Sequence, residues 1–114
     1  MNTPTAQALG PDISVSAQLD PTAMAWAAGA GFRSIINNRP DFEGGPTQPT
    51  SAAIQAAAEA AGLRYVFLPV APAIQTPQDI ARMAELIAEL PKPILAFCRT
   101  GTRSGKLYQA AIAG

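Results

Sequence analysis

The stretch "PILAFCRTGTRSGKL", residues 93–107, decides how this chain is read. Residues 93–97 form a short apolar run that reads as a buried strand. Ser104 onward reads as a helix, with Cys98 to Arg103 as the loop between them. Cys98 is the one cysteine of the chain, and two of its eight basic residues, Arg99 and Arg103, follow at once. A thiol at such a junction gains support for its anionic form. The helix start offers free amides and the positive end of its dipole. Successive loop amides can turn inward as a nest. Arg99 and Arg103 add fixed charge, and Thr102 or Ser104 can donate a hydroxyl hydrogen bond. Surroundings of this kind lower a cysteine pKa from ~8.5 to roughly 3.5–7.5. The same cradle, with Thr100 and Gly101, can hold a small anion in line with the nucleophile.

A free cysteine at a strand end is often only a small apolar residue. The arginines, hydroxyls and glycine packed around this one favour catalysis instead. A nucleotide-binding loop fits less well. "GTRSGKL" has three residues between its glycines where the phosphate-binding pattern has four, and Leu107 stands where a hydroxyl should hold magnesium.

Outward from the loop, the pattern alternates. Strands are expected at 12–19, 33–37, 64–70 and 93–97. Helices are expected from Asp20–Pro21 to Gly29 or Gly31, over 50–62, from Thr76 to about Leu90, and from Ser104. Asp20, Thr50 and Thr76 supply caps, and glycines supply stops. Strands separated by helices predict an α/β fold: a small, mostly parallel, four- to five-stranded sheet with helices on both faces. Such sheets bind ligands beyond the carboxyl ends of their strands, where the cysteine loop falls. Residues 1–11 lack periodicity and read as a loose lead-in to one domain over 12–114. That domain is either complete or part of a longer chain. The turn-rich 38–49 loop, "NRPDFEGGPTQP", is long enough to suggest function.

Composition narrows the chemistry. The 114 residues carry no net charge, which argues against nucleic acid or an anionic membrane as main partner. No apolar run reaches the ~20 residues that span a bilayer, and no secretory pattern opens the chain. With one cysteine, a reducing cytoplasm is the expected location. The chain has no histidine, which removes Cys–His dyads, Ser–His–Asp triads and ordinary zinc sites. No metal or cofactor is expected.

"SAQLDP", "GFRSIINNRPD", "AEAAGLRYVFLPV" and "CRTGTRS" occur in an order that resembles the phosphatase-like domain of beta-lactamase-hydrolase-like proteins. The resemblance covers nearly the whole chain after residue 12. It implies a protein-tyrosine-phosphatase-like fold in a family also described as sulfurtransferases, with some members fused to a metallo-hydrolase domain that oxidises persulfides. It implies Cys98 as nucleophile, Cys98 to Ser104 as the anion loop, and Asn38, Arg39 and Asp41 as neighbours of the site. A metallo-hydrolase or persulfide-oxidising partner follows from the same resemblance.

Phosphate and sulfur remain to be separated. Tyrosine-phosphatase-like enzymes place arginine after five intervening residues, where this chain has Ser104. Arg103 comes one position early, as in the loop of rhodanese-type sulfurtransferases. Phe97 replaces the histidine that often precedes the phosphatase cysteine. A phosphatase also wants a general acid, and "PVAPAIQTP" offers none before Asp79, which reads as a helix cap. Asp41 or Glu43 could supply that proton from the 38–49 loop, or could be solvated turn residues. Sulfane-sulfur transfer needs no acid. The sequence reading therefore prefers a sulfurtransferase working through a Cys98 persulfide. A phosphatase working through a phosphocysteine comes second, and a non-catalytic anion- or persulfide-binding module third. The substrate in each case is a small anion: thiosulfate, a persulfide or a phosphoester.

Overall fold

Residues 4–113 are described by the structure, a computed structural model. The apolar runs become strands and the capped segments become helices, in the order β1 (Ala6–Ala8), β2 (Ile13–Ser16), α1 (Ala23–Gly29), β3 (Ser34–Asn37), α2 (Ser51–Ala60), β4 (Arg64–Phe67), α3 (Pro77–Glu89), β5 (Ile94–Phe97) and α4 (Thr102–Ala113). The sheet runs β1-β2-β5-β3-β4, with β2, β5, β3 and β4 parallel and β1 antiparallel at the edge.

Alternation along the central strands sorts side chains to two faces. On one face Ile36, Ile94 and Ala96 pack with Met83 and Leu86 of α3 and Leu107 of α4. On the other, Ile35, Leu95 and Phe97 pack with Met24 and Ala27 of α1 and Ile54 and Ala58 of α2. Burying both faces requires apolar residues at every position of β5, and all four are fully buried.

The caps behave as the sequence implies. Thr76 and Asp79 form a reciprocal capping box on α3, at 3.1 and 3.0 Å. Thr50 accepts from the Ala53 amide at the start of α2. Asp20 accepts from the Ala23 amide at 3.1 Å, although α1 begins at Ala23, two residues beyond Pro21.

Three expectations need correction. Residues 6–8, read as part of a loose lead-in, form β1 and pair with Ser14–Ser16. The ladder of β4 stops at Phe67, because Pro69 has no amide to donate. Leu68 and Val70 nevertheless still bond the carbonyls of Asn37 and Asn38. Helix α4 starts at Thr102, not Ser104. Gly101, at φ +93°, turns the chain so early that the Gly105 amide already bonds the Gly101 carbonyl at 2.9 Å.

Register sets the position of the site. Ser16, Phe97 and Asn37 lie side by side on β2, β5 and β3. The segments that follow them therefore leave the sheet together at its carboxyl end. Among the described residues no helix is long and apolar enough to cross a membrane.

Candidate active site

Cys98 follows the last residue of β5 and is almost wholly buried. Its Sγ accepts a hydrogen bond from the Gly101 amide at 3.0 Å. Gly101 is pressed against β2, and a Cβ there would come within 3.4 Å of the Ser16 carbonyl group. Burial pushes the Cys98 thiol up. The amides of Ser104, Thr100 and Gly101 and the Ser104 hydroxyl outweigh it and hold the thiol below the ordinary cysteine range. That hydroxyl has one proton and two acceptors. Asn38 Oδ1 lies 2.8 Å away, and the Asn38 amide is fixed by donating to the Leu68 carbonyl at 3.1 Å. Its proton therefore rests on Asn38, and the loop amides carry most of the thiolate's support.

The two arginines of the loop are placed differently. Arg99 is exposed, its side chain free to reach over the cleft. Arg103 is buried and anchored. Its Nη1 donates to Glu43 Oε2 and to the Val70 carbonyl, each at 3.0 Å. Its Nη2 donates to Glu43 Oε1 at 3.0 Å. One edge of the guanidinium is thus held in a two-pronged ion pair. The Nε hydrogen has no protein acceptor among the described residues, and Arg103 also borders the cleft over Cys98. The support for the thiolate therefore comes from hydrogen bonds in the loop, and among the described residues Arg103 keeps one guanidinium edge without a protein partner at the cleft.

Glu43 is neither a solvated turn residue nor an acid. Burial pushes its carboxyl up, but hydrogen bonds and charge from Arg103 and Arg39 prevail and keep it below the usual range, so it stays ionised. Arg39 donates from Nε to Glu43 at 2.9 Å and from Nη1 to Gln18 at 3.1 Å. Asp41 points elsewhere: its carboxylate accepts from the Ser51 amide at 2.7 Å and caps the start of α2. The structure thus brings Asn38, Arg39, Thr100, Gly101, Thr102, Arg103 and Ser104 around the Cys98 site or behind it, while Asp41 faces a helix end.

An open cleft of about 400 Å³ lies over the thiol, lined by Cys98, Arg99, Thr100, Thr102, Arg103 and Lys106 with Pro72, Ala73 and Gln75. Lys106 and Gln75 escaped the sequence reading. With α4 starting at Thr102, Lys106 falls on the face of Thr102 and Arg103, four and three residues on. Gln75, which donates to the Arg103 carbonyl at 3.2 Å, had no local signal. Gln48 is a third omission: it accepts from the Gly44 amide and donates to the Pro40 carbonyl, closing the 38–49 loop on itself.

A mostly parallel α/β sheet, a thiolate ringed by amides after a central strand, and an arginine anchored in the next helix turn define a phosphatase-like domain with a cysteine at its centre. The chain belongs to the family described as "Beta-lactamase hydrolase-like protein, phosphatase-like domain", whose model matches residues 6–114. A beta-lactamase hydrolase-like protein of Agrobacterium fabrum is 45% identical over 78 residues, which is 68% of this chain and 18% of that protein. The matched stretch is thus less than a fifth of that curated relative's length. A Neisseria meningitidis structure described as a candidate phosphatase superposes with a TM-score of 0.83 at 34% identity, covering 90% of this chain and 72% of that one. A structure described as Tk-PTP shares the fold, with a TM-score of 0.75 at 18% identity over 95% of this chain and 70% of that one.

Proposed function

We propose that this domain is a cysteine-dependent enzyme that hydrolyses small phosphoesters through a phosphocysteine on Cys98. The observation that carries the reading is the buried thiolate under loop amides, with Arg103 locked by Glu43 beside it. Sγ attacks phosphorus, the bond to the leaving oxygen breaks, and water later releases phosphate from sulfur. The amides and the free edge of Arg103 stabilise the equatorial oxygens. Among the described residues no carboxylate is placed to protonate the leaving group: Glu43 is ionised and paired, and Asp41 caps α2. The substrates are therefore esters whose leaving group departs without a proton, such as aryl phosphates. The phosphatase descriptions of the family and of the Neisseria structure support this reading over the sulfur chemistry that the sequence favours.

Sulfane-sulfur transfer stays as a second reading on two observations. Arg103 follows Cys98 after four residues, and the cleft lacks an acid. In that chemistry the thiolate takes the outer sulfur of thiosulfate, sulfite leaves as an anion, and an acceptor thiolate removes the sulfur. One side-by-side assay decides. Phosphate release from an aryl phosphate, absent in Cys98→Ser, supports the first reading. Thiocyanate formation from thiosulfate and cyanide, with one added sulfur on Cys98 by intact mass and no phosphate release, replaces it with the second. Binding of either anion without turnover leaves a non-catalytic module.

A further inference from the structure

The cleft over Cys98 has a neighbour. A second open cleft, of about 560 Å³, is lined by Arg39, Glu43, Gly44, Pro72, Arg99 and Arg103. Pro72, Arg99 and Arg103 border both, so the two are chambers of one groove. The charge in that groove is lopsided. Arg39, Arg99, Arg103 and Lys106 are four of the chain's eight basic residues, and Glu43 is one of its eight acidic residues. A protein without net charge has gathered half its cations where one carboxylate opposes them.

The far chamber is also built. The Arg39 side chain is only 11% exposed, and Glu43 and Gln18 fix its Nε and Nη1. Its Nη2 has no protein acceptor among the described residues. It lies against Gly44 so closely that a Cβ there would sit 2.6 Å from it. A side chain at position 44 would displace that guanidinium from this place. Gln48 pins the Gly44 amide, so the backbone cannot drift from the arginine. A fixed planar donor, with exposed Arg99 lining the same chamber, matches an oxyanion group better than a neutral one.

We infer that the Arg39–Arg99 chamber is a second anion subsite, and that the preferred substrate carries two anionic groups. One sits at Cys98 and the other, phosphate- or carboxylate-like, sits between Arg39 and Arg99. The inference rests on reading the Cys98 cleft as an anion site, but not on which reaction occurs there.

The test is binding to Cys98→Ser, which keeps the groove and removes turnover. Methylphosphonate and a series of α,ω-alkylene bisphosphonates are titrated calorimetrically. The best-fitting bisphosphonate should bind about tenfold or more tightly than methylphosphonate, as one extra charge-assisted contact implies. In the Cys98→Ser background, Arg39→Gln should erase that advantage while leaving methylphosphonate affinity within about twofold, and Arg99→Ala, which borders both chambers, should erase it while also weakening methylphosphonate. Lys106→Ala, which alters only the first chamber, should weaken both probes alike and preserve the advantage. Equal affinity for the two probe types overturns the inference, as does an advantage that survives Arg99→Ala. Loss of methylphosphonate binding in Arg39→Gln together with an undiminished advantage in Arg99→Ala also overturns it, because Arg39 then acts only through Glu43 and Arg103. Tight bisphosphonate binding with no turnover of any ester would sustain the subsite while refuting the phosphatase reading.

Discussion

Two loops meet over the sheet's carboxyl end, and they are held by opposite means. The Cys98–Gly101 loop is shaped by backbone: a glycine in the left-handed region, amides turned onto sulfur and a helix that begins at once. The 38–49 loop is shaped by side chains. Gln48 ties it to itself, Asp41 ties it to α2, and Glu43 ties it to Arg103. It even holds Phe42 at φ +65°, a backbone state that non-glycine residues seldom keep without support. The difference assigns roles. The backbone loop supports the thiolate, and the side-chain loop fixes the Arg103 guanidinium.

The largest expected effect breaks the first loop's chemistry. Cys98→Ser should reduce turnover to background in phosphate-release and thiocyanate assays alike, because a serine hydroxyl is not ionised by these amides near neutral pH. Turnover above background in that variant would remove Cys98 from the mechanism.

Glu43→Gln strikes the second loop alone. It should leave the thiolate in place and free the Arg103 guanidinium, lowering kcat/KM about 10²-fold, the scale on which a misplaced group costs activity. Cys98 alkylation rate against pH should not move. A Glu43→Gln enzyme with altered thiol titration would mean that the loops are not separable in this way.

Gly101→Ala is the converse probe. A side chain at this positive φ costs roughly 1–2 kcal/mol, while its Cβ would make only van der Waals contact with the Ser16 backbone. The Gly101 amide should swing off sulfur and Cys98 should titrate higher than in the native protein, with Arg103 unaffected. Thermal denaturation and thiol titration report the two effects separately.

The smallest effect belongs to Asp41→Asn. Its carboxylate caps α2 and does not face sulfur. The change should cost up to about 1 kcal/mol of stability and leave aryl phosphate turnover nearly unchanged. A loss of tenfold or more, with the acid limb of the pH profile gone, would make Asp41 the missing acid.

The same contrast explains what the sequence revealed. The Cys98 loop was legible because every part of it lies within seven consecutive residues, from Cys98 to Ser104. The sheet was legible because apolar strands alternate with capped helices, down to the Thr76–Asp79 box. Glu43 was not, because its partner Arg103 lies 60 residues away and a carboxylate in a turn-rich segment reads equally well as solvated. Arg39 was expected near the site, but its fixed orientation comes from Gln18 and Gly44, which no spacing rule connects to it. Strand β1 was missed because three residues show no alternation and gain their pairing from the open edge of β2.

The central claim is that loop amides hold Cys98 as a thiolate. Its folded pKa lies below the ordinary value, so the thiolate persists as pH falls below the cysteine range and is lost only on passing the lowered value. The chain has one cysteine, so ultraviolet thiolate absorbance against pH reports this group without interference once Cys98→Ser is subtracted for the tyrosines. The account predicts a single titration well below that of the unfolded protein's thiol, moved upward in Gly101→Ala. A titration at or above the unfolded value would contradict it and leave Cys98 a buried structural residue.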